Sequence, residues 1–355
     1  MKISNFIIGI TGDCNFRCSY CYQRRTDRYL DSATAEKAVN FFSPYLAPDC
    51  NVVFYGGEPL LGLDRIKEIV RFFQAKNGRV KKRIGFSISS NGSLIDDDVL
   101  ALFESNRFSV LLSFDGFAQE LSKKKRSFLP TVAVLEKLLG RPEIDLETNS
   151  VFTAETVGYI AESIRFIVDL GVPSVNISFT NLPPWSATAL SRLKEELGLL
   201  GEYMVPLSRK KRPVPVVNFR QTPRKKVFGC SAGKDRMFLS PDGFLWGCCL
   251  IYDYLHTRGK SHTSSRYCFG GLDAFVRDHE RIYPEVAENH TRFRMDRFFT
   301  SDCFCAQCED LSDCVVCPVD TILGGSLVGK IPLWVCEIRK IEREARNRFL
   351  KRIGG

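Results

Sequence analysis

The chain has 355 residues, enough for one large domain and a smaller one. Its hydrophobic content is that of a globular protein, and no apolar run reaches membrane-spanning length, so no membrane partner is expected. The net charge of +9 comes with Lys/Arg runs at 123–126, 209–212 and 224–226 that lack interleaved aromatics, which reads as solvated loops and excludes nucleic acid as the expected partner.

An apolar run at 6–10 reads as a buried strand. Immediately after it come Cys14, Cys18 and Cys21, with Tyr20 before the third. Thiolates are the usual ligands of iron–sulfur clusters, and a cubane normally takes four. Three close-set cysteines therefore leave one iron open to bind and reduce something. Gly12 and Asp13 supply the turn chemistry that folds the sulfurs toward one point. The competing readings are a zinc site or three unrelated thiols, but zinc motifs favour paired cysteine knuckles and no second knuckle lies near. Fourteen cysteines in a chain whose start, Met1-Lys-Ile-Ser, lacks a secretory signal point to metal rather than disulfides, and to a reducing cytoplasm.

Strands and helices then alternate. A helix is expected at 32–42 with Asp31 or Ser32 as N-cap, then a strand at 51–55, the turn Gly56-Gly57-Glu58-Pro59 and a helix at 63–76. A strand at 84–89 leads through Ser90-Asn91-Gly92 to a helix at 96–105. A strand at 109–114 leads through Asp115-Gly116 to a helix at 128–139. Strands at 146–152 and 174–179 enclose a helix at 155–170. Such alternation predicts right-handed βαβ units and a parallel sheet, with six strands, too few for a closed eight-stranded barrel. Polar and glycine residues gather at the carboxyl ends of these strands, where parallel folds place their sites. The paired glycines let backbone approach a ligand closely.

A helix at 189–204 and a basic, proline-rich stretch bridge to a cysteine-rich end. There Cys230 and Cys248 flank two β-like runs, Arg236–Leu239 and Phe244–Trp246, joined by Ser240-Pro-Asp-Gly243, which predicts a hairpin that brings the two cysteines together. Cys305, Cys308, Cys314, Cys317 and Cys336 follow. Taken alone, the block 305–317 reads as zinc as readily as iron–sulfur. The tail at 337–350 alternates charge with apolar residues at helical spacing and reads as a docking helix, and Cys50 as packing.

The Cys14–Cys18–Cys21 spacing with Tyr20 resembles the signature of the radical S-adenosylmethionine (SAM) superfamily. The later cysteines resemble the SPASM domain of radical SAM peptide and protein maturases, with the last interval of the middle group one residue short. The resemblance implies an α/β fold, a partial (β/α)6 barrel over 1–185, a sixth helix and bridging segment over 186–226, and over 227–355 a SPASM domain with a small β-hairpin and helices. It implies SAM and three [4Fe–4S] clusters. Cys14, Cys18 and Cys21 would hold the SAM-binding one, Cys230, Cys248 and Cys317 a first auxiliary cluster, and Cys305, Cys308, Cys314 and Cys336 a second. The first auxiliary set is one ligand short, with Cys249, Cys268, Cys303, Asp235 or an open iron as alternatives. Tyr20, Gly56, Gly57, Glu58, Asn91, Ser113 and Arg126, with Lys125 beside it, are the SAM contacts implied, Asp115 and Asn149 the weaker ones. The activity implied is hydrogen abstraction from a peptide by a 5′-deoxyadenosyl radical, giving a crosslinked or oxidised side chain. No catalytic residue beyond the SAM cluster is implied. The expected partners are the peptide, a separate leader-recognition protein in place of an N-terminal leader-capturing domain, and a one-electron reductant such as flavodoxin or ferredoxin. The alternatives are an anaerobic sulfatase-maturase-like enzyme, which forms formylglycine, and a small-molecule radical SAM oxidoreductase. The maturases carry an aspartate base where this chain has Cys249, and the nearest aspartate is Asp253. A reading from another class, an electron-carrying scaffold, leaves Gly56-Gly-Glu-Pro59 without purpose.

Overall fold

The computed structural model describes residues 1–80, 82–209, 213–221, 229–256, 265–291, 304–311, 314, 316–317, 319 and 331–354. Strands β1 (Ile3–Thr11), β2 (Leu46–Gly56), β3 (Arg83–Ser90), β4 (Ser109–Ser113), β5 (Asp145–Phe152) and β6 (Val175–Phe179) alternate with helices. These are α1 (Ser32–Phe42), α2 (Leu63–Val80), α3 (Asp97–Ser105), a short α4 (Gln119–Ser122), α5 (Phe128–Leu139), α6 (Ile160–Asp169) and α7 (Ala187–Arg209). Local chemistry sets several boundaries. Asp31 caps α1 by accepting from the Thr34 N–H, and Asp96 caps α3 by accepting from Val99.

Neighbouring strands from β1 to β6 pair in parallel, with Ile8 opposite Phe54, Val52 opposite Phe86 and Leu112 opposite Thr148. The hairpin expected after Asp235 forms as β7 (Arg236–Leu239) and β8 (Phe244–Trp246), followed by β9 (Cys268–Gly271). It does not stand apart from the barrel. β7 pairs in parallel with β1, Phe6 opposite Met237, so one nine-stranded sheet runs β6-β5-β4-β3-β2-β1-β7-β8-β9. The sheet thus crosses the expected divisions at 185 and 226 without a break. The short α8 (Cys249–Ile251), α9 (Leu272–His290) and the terminal α10 (Leu333–Ile353) complete the described elements, and α10 lies along α7. Among the described residues, no helix is long and apolar enough to cross a membrane.

The two faces of the sheet differ in chemistry, as period-2 alternation requires. Phe6, Ile8, Ile10, Val52, Phe54 and Phe86 are buried against α1, α2 and α3, where Val39, Phe42, Ile69, Phe73 and Phe103 meet them. Phe54, Phe86, Phe103 and Phe108 form a chain of stacked rings with centroids 4.9–6.1 Å apart. Each such buried side chain contributes about 1.5–3 kcal/mol. The alternate residues face inward. On β1 and β2 these are Ile7, Val53 and Tyr55, packed with the cysteine-rich segment. On β3, β5 and β6 they are polar and half-buried: Ser87, Asn149, Asn176 and Ser178. Asn176 Nδ2 donates to Asn149 Oδ1 at 2.6 Å and Ser178 Oγ donates to the same oxygen at 2.8 Å. A closed barrel fills its interior with branched apolar side chains, and a polar inner wall instead suits a cavity.

Candidate functional site

The loop after β1 leaves the sheet and returns to it. Gly12 N donates to Arg28 O, Thr26 N to Gly12 O and Leu30 N to Ile10 O. The three cysteines lie between these anchors. Asp13 N donates to Thr11 Oγ1, Cys14 N to Asp13 Oδ1, and Cys21 N to Cys18 O, a run of tight turns. Asn91, at the end of β3, donates to Asn15 Oδ1 at 2.9 Å and lies 4.0 Å from Cys14 Sγ.

Burial raises the Cys14 and Cys21 thiols above their usual range and Cys18 to about 11. The ionised form of each neighbouring sulfur pushes in the same direction, which places the three within electrostatic reach of one another. Cys14 and Cys18 are half-buried and Cys21 is exposed, and thiols that disfavour the thiolate invite a cation, which would reverse that preference. Among the described residues, no three Cys, His, Asp or Glu side chains are drawn together around a single point. The donor set fits an iron–sulfur cluster.

The Gly56-Gly57 turn is pressed against this loop. Gly56 has φ +146°, and a Cβ there would lie 2.2 Å from Thr11 O; at Gly57 it would lie 2.1 Å from Asp13 O. Gly57 N donates to Thr11 O and Glu58 N to Asp13 O. Only glycine allows this approach. Glu58 is 1% exposed, and its carboxylate is already committed. Leu60 N and Ser90 Oγ donate to Oε1, and Asn91 N donates to Oε2. Burial, opposed by these three donors, leaves its pKa at about 7. Glu58 therefore ties the turn to the end of β3, and the backbone carbonyls are left as the groups in this turn to meet an ammonium.

Asp115 is fully buried, and it accepts from Tyr20 OH and Ser122 Oγ, each at 3.0 Å, and from Val151 N at 2.8 Å. Lys123 Nζ sits 3.1 Å from it, with a side chain 2% exposed. This knot holds the cysteine loop from the β4 side, where Ser19 N also donates to Ser122 O. Tyr20, expected as a SAM contact, has its hydroxyl bound here, and its pKa is pushed up first by burial and then by the Asp115 charge. Arg126 and Lys125 are exposed, and Lys123 is the cation of that run turned toward Cys18, whose ionisation it favours. Ser113 closes β4 opposite Asn149 at the carboxyl edge of the sheet.

Cys230, Cys248 and Cys317 gather around Trp246, Ile251, Tyr252 and Tyr267, together with Cys249 and Cys268. The Cys249 thiol donates toward Cys248, which lowers the Cys248 pKa and raises that of Cys249. Asp235 faces elsewhere, with Oδ2 accepting from Ser4 Oγ at the start of β1. Cys303 lies outside the described residues. The third group is brought together: Cys305, Cys308, Cys314 and Cys336 line one cavity, with Leu311, Val316 and Ile331 as its apolar wall.

Between the first two cysteine groups lies a constellation of which the sequence named only Asp253, as the aspartate nearest Cys249. Asp253 is 5% exposed and accepts from Tyr55 OH at 2.8 Å and Gln23 Nε2 at 3.4 Å. The Tyr22 and Tyr55 hydroxyls are 3.0 Å apart, and Tyr22 stacks on Tyr254 at 5.0 Å. Burial raises Asp253 to about 7, against the pull of the Tyr55 and Gln23 bonds. The available signal was position: Tyr22 follows Cys21, Tyr55 precedes Gly56, and Asp253 lies one helical turn beyond Cys249.

Residues 8–141 match the radical SAM superfamily. The chain is 26% identical over 256 residues to an uncharacterized protein of Methanocaldococcus jannaschii, covering 69% of this chain and 85% of that one. It is 27% identical over 180 residues to the cysteine-type anaerobic sulfatase-maturating enzyme of Clostridium novyi, covering 46% of this chain and 48% of the enzyme. With the serine-type anaerobic sulfatase-maturating enzyme of Klebsiella aerogenes the identity is 26% over 275 residues, 70% of this chain and 66% of the enzyme. Among solved structures, anSMEcpe with bound AdoMet superposes with a TM-score of 0.78 at 16% identity, covering 99% and 98% of the two chains. Streptococcus suis SuiB bound to its precursor peptide SuiA gives 0.59 at 15% identity, covering 94% and 76%. At these identities the likeness is one of fold.

Proposed function

From the premise that residues 8–141 form a radical SAM domain and that the chain is an enzyme of that class, we propose that it oxidises a side chain of a peptide or protein, in the manner of a maturase. Cys14, Cys18 and Cys21 would hold the SAM-binding [4Fe–4S] cluster. Cys230, Cys248 and Cys317 would hold one auxiliary cluster, and Cys305, Cys308, Cys314 and Cys336 another. When bound, the first cluster supplies the electron that splits SAM and so initiates hydrogen-atom abstraction from the substrate. The chain's residues do the rest. The Gly56-Gly57 carbonyls meet the SAM amino group, Lys123 supplies positive charge beside Cys18, and Asn91 and Ser113 border the pocket. The polar inner wall at Asn149, Asn176 and Ser178 receives the peptide.

Asp253 carries the choice of reaction. In a two-electron oxidation of a cysteine or serine side chain the substrate gives a hydrogen atom to the 5′-deoxyadenosyl radical, a proton to a base and one electron to an acceptor, which an auxiliary cluster would supply. Formylglycine formation is the form that the likeness to anaerobic sulfatase-maturating enzymes suggests. The chain has Cys249 where an aspartate is expected, yet it delivers a buried carboxyl one turn later, oriented by Tyr55 and Gln23. A pKa near 7 suits that task. Crosslinking of a ribosomal peptide is the second reading, supported by the SuiB-like fold. The peptide, a separate leader-recognition protein and a flavodoxin- or ferredoxin-type reductant complete the proposed system.

The test uses reconstituted, oxygen-free protein with SAM, reductant and cysteine- or serine-containing peptides. Wild type is expected to release 5′-deoxyadenosine and give an aldehyde that hydrazine reagents trap. Asp253→Asn is expected to keep the release and lose the aldehyde. An aldehyde formed at the wild-type rate by Asp253→Asn would overturn the assignment of the base. A crosslinked peptide in place of the aldehyde would select the second reading.

A further inference from the structure

The cavity lined by Cys305, Cys308, Cys314 and Cys336 has a basic side. Arg339 and Arg343 line it from α10, the helix that also contributes Cys336. Spaced at about one and two turns beyond Cys336, they fall on the same helical stripe. Both guanidinium groups are held in place and largely shielded from water. Arg339 donates to Glu342 at 2.9 Å and is 24% exposed, while Arg343, 14% exposed, pairs with Asp310. Both line the same cavity as Cys305, Cys308, Cys314 and Cys336.

A cubane on four thiolates is anionic and gains one further negative charge when reduced. A fixed cation beside it stabilises the reduced form more than the oxidised form, and so raises the reduction potential. Solvent screening would erase the effect for exposed side chains, but these are mostly buried. Resting on the auxiliary-cluster reading above, we propose that Arg339 and Arg343 are potential-setting residues that hold the cluster of Cys305, Cys308, Cys314 and Cys336 at a raised reduction potential. Asp310 and Glu342, which pair with Arg343 and Arg339, oppose them by offsetting part of that charge.

The experiment is a redox titration of the oxygen-free, fully reconstituted protein followed by electron paramagnetic resonance, with iron counted per chain. Cys314→Ala identifies the signal that belongs to this site. Arg343→Gln and Arg339→Gln are each expected to shift that midpoint downward, and further together, with the other midpoints unmoved. Arg343→Lys should restore most of the shift, and Asp310→Asn should move the midpoint upward. An unmoved midpoint in the glutamine variants at full iron content would overturn the inference. If the glutamine variants lose iron, Asp310→Asn decides, because it retains both arginines, and the absence of an upward shift then refutes the charge argument. Full iron retained in Cys314→Ala would instead refute the cluster reading itself.

Discussion

Glu58→Gln tests whether the Gly56-Gly57 turn is held as described, because two effects of opposite sign meet there. The carboxylate accepts three hydrogen bonds, from Leu60 N at 3.1 Å, Ser90 Oγ at 2.9 Å and Asn91 N at 2.8 Å. A glutamine that keeps its oxygen toward Leu60 and Ser90 turns its NH2 against the Asn91 N–H. One buried donor is then stranded, at about 1–3 kcal/mol. The wild-type carboxyl carries a cost of its own. Its pKa rises on folding from an ordinary 4.5 to about 7, chiefly through burial. Folding therefore takes up a proton between these values, so stability is fullest below 4.5 and falls as pH rises through 7. The loss amounts to about 3 kcal/mol at 1.36 kcal/mol per pH unit. Glutamine does not titrate and escapes this loss. The variant should thus melt several degrees below wild type at about pH 5 and match or exceed it at about pH 8, at about 2 °C per kcal/mol. Paired thermal melts of oxygen-free protein at the two pH values provide the measurement. An equal deficit at both would show that Glu58 is not a buried, titrating clamp.

The Asp115–Lys123 pair should behave as a buried ion pair: Lys123→Met alone leaves an uncompensated carboxylate and costs about 3–5 kcal/mol, while Lys123→Met with Asp115→Asn recovers most of it. Denaturant midpoints of the two single variants and the double provide the cycle, and additive losses would contradict the pairing. Gly57→Ala must push a methyl to within 2.1 Å of Asp13 O and 3.0 Å of Cys14 Cβ. It should therefore displace the cysteine loop and lower iron retained per chain at Cys14, Cys18 and Cys21 while leaving the other cysteine groups loaded. Wild-type iron content in that variant would refute the close packing of turn and loop.

Helices with their own punctuation could be read directly. The expected 32–42 and 128–139 coincide with α1 and α5, because Asp31 caps the first and Gly140 follows the second. β2 begins five residues earlier than expected, at Leu46, because Pro48 and Asp49 carry turn chemistry that pairing of Leu46 with Ile3 overrides. α2 likewise runs to Val80, past the expected end at 76. The cysteine groups were legible because thiol spacing is itself the signal. The difference among Lys123, Lys124, Lys125 and Arg126 was not, since neighbouring cations look alike until Asp115, just after the fourth strand, pairs with Lys123. Asp253 was obscured for the same reason: its partners, Gln23 and Tyr55, lie 230 and 198 residues away.

The pairing of β7 with β1 has a consequence that neither cysteine group reveals alone. β1 ends at the first cysteine loop, and through β7 the same strand carries the hairpin whose far side bears Cys248 and Asp253. Two segments more than 200 residues apart thereby share one rigid hydrogen-bonded frame, with Ile7 opposite both Val53 and Phe238. Any slip of β7 by one residue would turn Phe238 and its neighbours to the opposite face. It would also move Asp253 away from Tyr55 and from the loop that bears Cys21. Fixing the position of Asp253 relative to Tyr55 and the first cysteine loop is thus the task of backbone pairing in the middle of the sheet.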